Sequence, residues 1–219
     1  MEKVLQFLKT LSANNNREWF NENRGWYEES RDKVLFLTEL LNNEIARFDP
    51  EVPPMDPKTC MFRIFRDVRF SKDKRPYKTN FGSYIANGGR KSSNAGYYFH
   101  IEPGQSFVGG GVYKPGSGQL KAVRSHIAQH PDEFLQIIND KNFKKYYPEI
   151  YDDKLKTAPK GFPKDHQHIK LLRYKSYVFS HKVENQILTE GKFVEYAVAA
   201  YKELGNLNIF LNQALEENL

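Results

Sequence analysis

The sequence predicts an α+β fold, an antiparallel sheet of about four to six strands from the middle of the chain covered by N- and C-terminal helices. Three observations carry this expectation. Apolar residues recur at helical spacing near both termini. Between Cys60 and Tyr113 the pattern changes to short runs rich in aromatic and branched residues. The connections between those runs are too short for βαβ crossovers, which favours an antiparallel meander.

The elements follow in order. Val4, Leu5, Phe7, Leu8 and Leu11 give a short amphipathic helix over residues 2–12, ended by Asn14-Asn15-Asn16. Asn15 with Glu18 reads as a capping box that opens a second, long helix reaching Asp49-Pro50, with a kink or break expected near Gly25. Trp19 and Trp26 are seven apart, hence on one face, and read as core packing. A proline-rich connector, residues 51–58, leads to strand-like runs at Cys60–Arg66, Asn80–Ala86, Tyr97–Glu102 and Ser106–Tyr113. Pro103-Gly104-Gln105 joins the last two as a hairpin. Gly109-Gly110-Gly111 inside a strand marks a bulge or a close approach of another backbone or a ligand. Ser117 is placed to cap a helix with Leu120, Val123 and Ile127 facing inward, ending near His130-Pro131, and Phe134, Leu135 and Ile138 add a second. Residues 141–170 look irregular, residues 176–183 look like a strand, and one or two amphipathic helices follow Gly191.

A chain of 219 residues can bury a sizeable core, and it reads as one domain, residues 1–219. Its 39% hydrophobic content, with 16 Phe and 13 Tyr, argues against disorder. Cys60, the single cysteine, excludes an internal disulfide and reads as a buried small hydrophobe in a reducing compartment. The N-terminus lacks a signal-peptide core, and no apolar run approaches the roughly 20 residues that span a bilayer. A cytoplasmic protein with no membrane partner is expected.

Charge is unevenly placed. The net +6 is a surplus of two internal segments: residues 63–78 carry 7 basic and 2 acidic side chains, residues 141–175 carry 10 and 4, and both ends of the chain are mildly acidic. Either the fold joins these segments into one basic face or they are separate solvated surfaces. Arg63 and Arg66 would point to opposite faces of a strand, so one arginine is expected to pair with Asp67 or another acid. The loop from Arg69 to Lys78 sets Lys72, Lys74, Arg75 and Lys78 around Asp73, with Phe70 and Tyr77 as expected anchors at its two ends and Pro76 limiting its motion. Cations held in a fixed loop suggest an anionic partner.

The run FRIFRDVRFSKDKRPYKTN, residues 62–80, closely resembles the signature of a bacterial and fungal family of unknown function, DUF 2461. GYYFHIEP (96–103), GGGVY (109–113) and APKGF (158–162) resemble that family as well, so the likeness covers nearly the whole chain. It implies a single-domain, cytoplasmic protein and supplies no catalytic residues to carry over.

The expected function is binding of a phosphate-bearing or other anionic ligand, a nucleotide or nucleic acid. The candidate binding residues are Arg63, Arg66, Arg69, Ser71, Lys72, Lys74, Tyr77 and Lys78, with Lys160 and Arg173 if the basic segments meet. One alternative is an enzyme acting on a phosphorylated or carboxylated small molecule, with Asp67, Asp73, His100 or Glu102 handling protons. His100 and Glu102, two apart on a predicted strand, share a face; a half-buried cross-strand pair is the plainer reading. Asp67 and Asp73 fully engaged in loop hydrogen bonds would argue against them as acid–base groups. The other alternative is a protein–protein interaction module. Asp165, His166 and His168 lack a third or fourth partner for a metal, so no metal site is assigned, and no P-loop, dinucleotide fingerprint, nucleophile elbow or zinc spacing points to a cofactor.

Overall fold

The computed structural model describes residues 1–216. Helix α1 (Glu2–Ala13) buries Val4, Leu5, Phe7, Leu8 and Leu11, the stripe the spacing predicts. Helix α2 (Arg17–Glu22) is capped one residue later than expected: the Asn16 side chain accepts from Trp19 N at 2.9 Å. Asn15 is thereby free for another task, described below. The chain breaks at Asn23, two residues before Gly25, and continues as α3 (Arg24–Phe48). Trp19 and Trp26 are half-buried and clamp Phe7 of α1, with ring centroids 6.2 and 5.7 Å away.

A short helix, α4 (Pro57–Cys60), starts where the connector was expected, with Pro57 at its first position and Asp56 accepting from Lys58 N at 2.9 Å. Pro at this position costs nothing because its missing N–H would have no helical partner. Cys60 is buried, and burial raises its thiol pKa. The sheet comprises β1 (Phe81–Ile85), β2 (Gly96–Ile101), β3 (Phe107–Val112) and β4 (Tyr177–Lys182), all antiparallel in the order β1-β2-β3-β4. The hairpin between β2 and β3 forms as predicted. The strand expected over Cys60–Arg66 does not. Cys60 closes α4, Met61 bridges Ser83 alone, and from Ile64 the chain pairs with its own residues 76–78 rather than with β1.

Helix α5 (Ser117–Gln129) is capped by Gly116, whose N–H donates to Gln119 Oε1, so Ser117 is its first residue rather than its cap. Val123 and Ile127 are buried and Leu120 is half-buried. Helices α6 (Pro131–Asn139), α7 (Lys141–Tyr146), α8 (Ile169–Leu172) and α9 (Asn185–Thr189) lead to α10 (Phe193–Glu216). One face of the sheet, with Phe81, Ile85, Tyr97, Phe99, Ile101, Val108 and Phe179, is buried beneath α3 and α10. The glycines of β3 admit α10: a Cβ at Gly110 would lie 2.9 Å from Leu204 Cδ1, and Gly111 adopts φ +105°. The outer face carries Tyr84, Tyr98, His100, Phe107, Val178 and Ser180, half-buried or exposed. Among the described residues no helix is long and apolar enough to cross a membrane.

Candidate functional site

Residues 64–78 form a self-paired hairpin beside β1, at the edge of the sheet away from β2. Arg66 N donates to Pro76 O at 2.9 Å, Lys78 N donates to Ile64 O at 2.8 Å, and Phe65 bridges Tyr77. Its base is fixed from the other end of the chain. Asn15 Nδ2 donates to Tyr77 O at 3.0 Å and Tyr77 N donates to Asn15 Oδ1 at 3.1 Å. The Tyr77 ring is buried and stacks on Phe20 at 3.9 Å. Tyr77 is thus the anchor the sequence predicts. Phe70 is not: it is 97% exposed at the loop tip, with Arg69 Cζ 6.0 Å from its ring, because the loop turns away from the core once residues 64–66 and 76–78 pair.

The loop pairs three of its arginines with its two acids. Asp67 accepts from Arg69 Nη2 at 2.7 Å and from Arg69 N at 3.3 Å. Asp73 accepts from Arg75 Nη2 at 2.7 Å and Arg75 N at 3.0 Å, and pairs with Arg66 Nη1 at 2.8 Å. The hydrogen bonds from Arg69 hold Asp67, and those from Arg75 and then Arg66 hold Asp73, below the usual carboxylate range. Arg66 also donates to Arg75 O at 3.0 Å and reaches Ser71 Oγ at 3.5 Å, and Lys74 Nζ donates to Val68 O at 3.0 Å. The sequence leads one to expect one paired arginine; three are paired. With every Asp67 and Asp73 contact directed inward, neither acid is poised for proton transfer.

Arg63, Lys72 and Lys78 make no ion pair among the described residues. Lys72 is exposed. Lys78 is half-buried, its Nζ 5.6 Å from the centre of the Phe62 ring, and its pKa is lowered, first by burial and then by the Arg63 charge. Two cations without a counter-ion therefore sit together at the root of the hairpin. That root opens onto the outer sheet face. Phe62 N donates to Gly82 O at 2.9 Å, and its ring meets Tyr98 edge-on at 6.2 Å.

On that face the polar side chains form a continuous chain. Tyr98 Oη lies 3.1 Å from His100 Nδ1, His100 Nε2 lies 3.1 Å from Glu102 Oε2, and Thr79 Oγ1 donates to Glu102 Oε1 at 2.6 Å. Asn80 Nδ2 also reaches His100 Nδ1, at 3.3 Å. The imidazole stacks on Phe107, 4.8 Å between centroids and 12° from parallel. Tyr98 lies across Gly82, where a Cβ would contact its hydroxyl and stand 3.0 Å from its Cζ. Burial pushes the Tyr98 pKa up to about 12, with Glu102 adding to the effect.

His100 and Glu102 thus meet as the two-residue spacing predicts. Tyr98 belongs with them and was legible by the same rule, two residues before His100 on one strand. Thr79, Asn80 and Asn15 carry no local signal, since their partners lie at least 20 residues away.

The second basic segment lies elsewhere. Tyr151 N donates to Val178 O at 2.9 Å and Ile150 bridges Phe179, so this segment runs beside β4, at the opposite edge of the sheet from the hairpin. Arg173 spends its guanidinium on Leu155 O at 2.7 Å and Lys156 O at 2.8 Å, and Lys160 is exposed. His166 Nδ1 accepts from His168 N at 3.1 Å. A cleft of about 730 Å³ between α3, α7 and α10 is lined by Glu44, Lys145, Glu195, Lys202 and Glu203 among others, and by none of the residues above.

No curated protein and no solved structure matches the chain. A family model described as "Conserved hypothetical protein (DUF2461)" matches residues 3–210, and the chain belongs to that family.

Proposed function

We propose that the protein binds a phosphate-bearing or other anionic ligand at the root of the basic hairpin, where Lys78 lies over the Phe62 ring within reach of the Arg63 charge. One observation carries this reading: Lys78 is half-buried, next to a second cation, and has no counter-ion among the described residues. Removing an ammonium group from water is costly unless an anion or acceptor compensates it, and a bound anion would do so. The exposed ion pairs of Asp67 and Asp73 serve to fix the loop. At such exposure each is worth little on its own, and together they set the backbone from which Arg63 and Lys78 project.

Titration calorimetry with inorganic phosphate tests the site. The double substitution Arg63→Glu and Lys78→Glu is expected to weaken binding about 100-fold or more, since each charge-assisted contact contributes about 1.5–3 kcal/mol. Unchanged affinity would contradict the assignment. With two principal cations at the site, a single-stranded oligonucleotide is expected to show a slope of log K against log salt near about −1.4. A much steeper slope would mean that the whole loop takes part. A second reading, an interaction module, is favoured by the bare Phe70 ring at the loop tip. It takes precedence if the wild-type protein binds no phosphate.

A further inference from the structure

The hydrogen bonds on the outer sheet face fix more than a fold. Glu102 accepts from Thr79 through Oε1, and its Oε2 faces His100 Nε2 at 3.1 Å. A carboxylate has no proton to give, so the Nε2 position holds the imidazole hydrogen and Nδ1 is left as an acceptor. Two donors then converge on one lone pair: the Tyr98 hydroxyl at 3.1 Å and the Asn80 amide at 3.3 Å. A neutral imidazole satisfies one of them, and the other is left for a ligand. A purely structural network would match donors to acceptors. The excess donor instead stands next to Phe62, whose ring carries Lys78 on its face.

We propose that His100 is the proton-exchanging group of this site, acting on a bound phosphate or carboxylate oxygen through Tyr98 and held in its tautomer by Glu102. The assignment rests on the anion-binding reading above. When the dianionic ligand binds, His100 Nδ1 takes one proton from solvent and donates it in a hydrogen bond to Tyr98 Oη, the Tyr98 O–H turns to the ligand oxygen as a donor, and Glu102 offsets the imidazolium charge. This is the logic of a nucleophile or acid, a base and an orienting carboxylate in line. Phe107 keeps the ring from rotating away, and Gly82 gives the Tyr98 hydroxyl its room. The charged and titratable groups around His100 are few. Tyr98 lies on β2 and Glu102 directly after it, Lys78 on the segment before β1, and Tyr113 directly after β3, where its charge adds to the raised pKa of Tyr98; Lys182, opposite Phe107 on β4, is held by Glu184 at 2.8 Å.

Sulfate is the probe, because it does not itself titrate near neutral pH. Calorimetric titrations at one pH in buffers of different ionisation enthalpy count the protons taken up per sulfate bound. The wild-type protein is expected to take up protons, and His100→Gln is expected to bind sulfate about tenfold more weakly with the uptake lost. Should His100→Gln fail to fold, Glu102→Gln gives the same readout, a reduced uptake from loss of the group that stabilises the imidazolium. Sulfate binding whose proton uptake is the same in wild type and variants would overturn the relay and leave the anion site standing. Absence of both sulfate and phosphate binding in the wild type would overturn the two together.

Discussion

Lys78 and Gly82 decide most at the scale of single residues. Lys78 is more costly to charge inside the fold than in the unfolded chain, because burial and Arg63 both lower its pKa. Charging Lys78 therefore costs the fold free energy, a penalty relieved as pH rises through the folded-state pKa. An anion needs the charged form. Affinity for phosphate is thus expected to fall as pH rises through the lowered pKa of Lys78, below the range of an ordinary lysine, and Lys78→Met should remove that alkaline limb. An affinity that holds steady up to the ordinary lysine range would exclude Lys78 from the site. Gly82 is needed for a different reason. Any side chain there displaces Tyr98, since a Cβ would stand 3.0 Å from its Cζ. Gly82→Ala is expected to destabilise the protein by about 1–3 kcal/mol, as overpacking of a tight contact does, and to be rescued in part by Tyr98→Ala. A denaturant midpoint unchanged in Gly82→Ala would show that Tyr98 does not lie across it.

The hairpin of residues 64–78 is the element that connects the helices to the site. Its cross-pairing is short, and its root depends on the reciprocal bonds between Asn15 and Tyr77. Two neutral hydrogen bonds at about 0.5–1.5 kcal/mol each are what Asn15→Ala removes. Amide exchange in residues 64–78 is expected to accelerate in that variant while β2 and β3 keep their protection. Equal acceleration throughout would mean that Asn15 supports the whole fold and not this element. The sequence shows the hairpin's charge and its Tyr77 anchor, and it suggests a strand at Cys60–Arg66 that the chain does not form. The apolar pattern of Phe62, Ile64 and Phe65 fits a strand, yet which partner it pairs with is decided by Pro57-driven α4 before it and by the turn that returns residues 76–78. Neither is a property of the run itself.

For the molecule as a whole, the sheet faces set what was legible. Period-two alternation reveals which residues of β1 to β4 face α3 and α10, and it places His100 and Glu102 together on the other side. Helical periodicity does the same for α1, α3, α5 and α10, with errors of one residue at the caps of α2 and α5, where neighbouring asparagines or a glycine compete for the position. Contacts between distant segments leave no such trace. The pairing of Thr79 with Glu102 and the placing of the two basic segments at opposite sheet edges emerge only from packing. Charge totals are equally silent on pairing, so seven basic residues between 63 and 78 reduce to a small unpaired set centred on Arg63 and Lys78. In a crystal grown in sulfate, the ion is expected beside Arg63 and Lys78, within reach of the Tyr98 hydroxyl; an ion settled only at the exposed Lys72 and Phe70 tip, or along the 141–175 segment, would contradict the anion site.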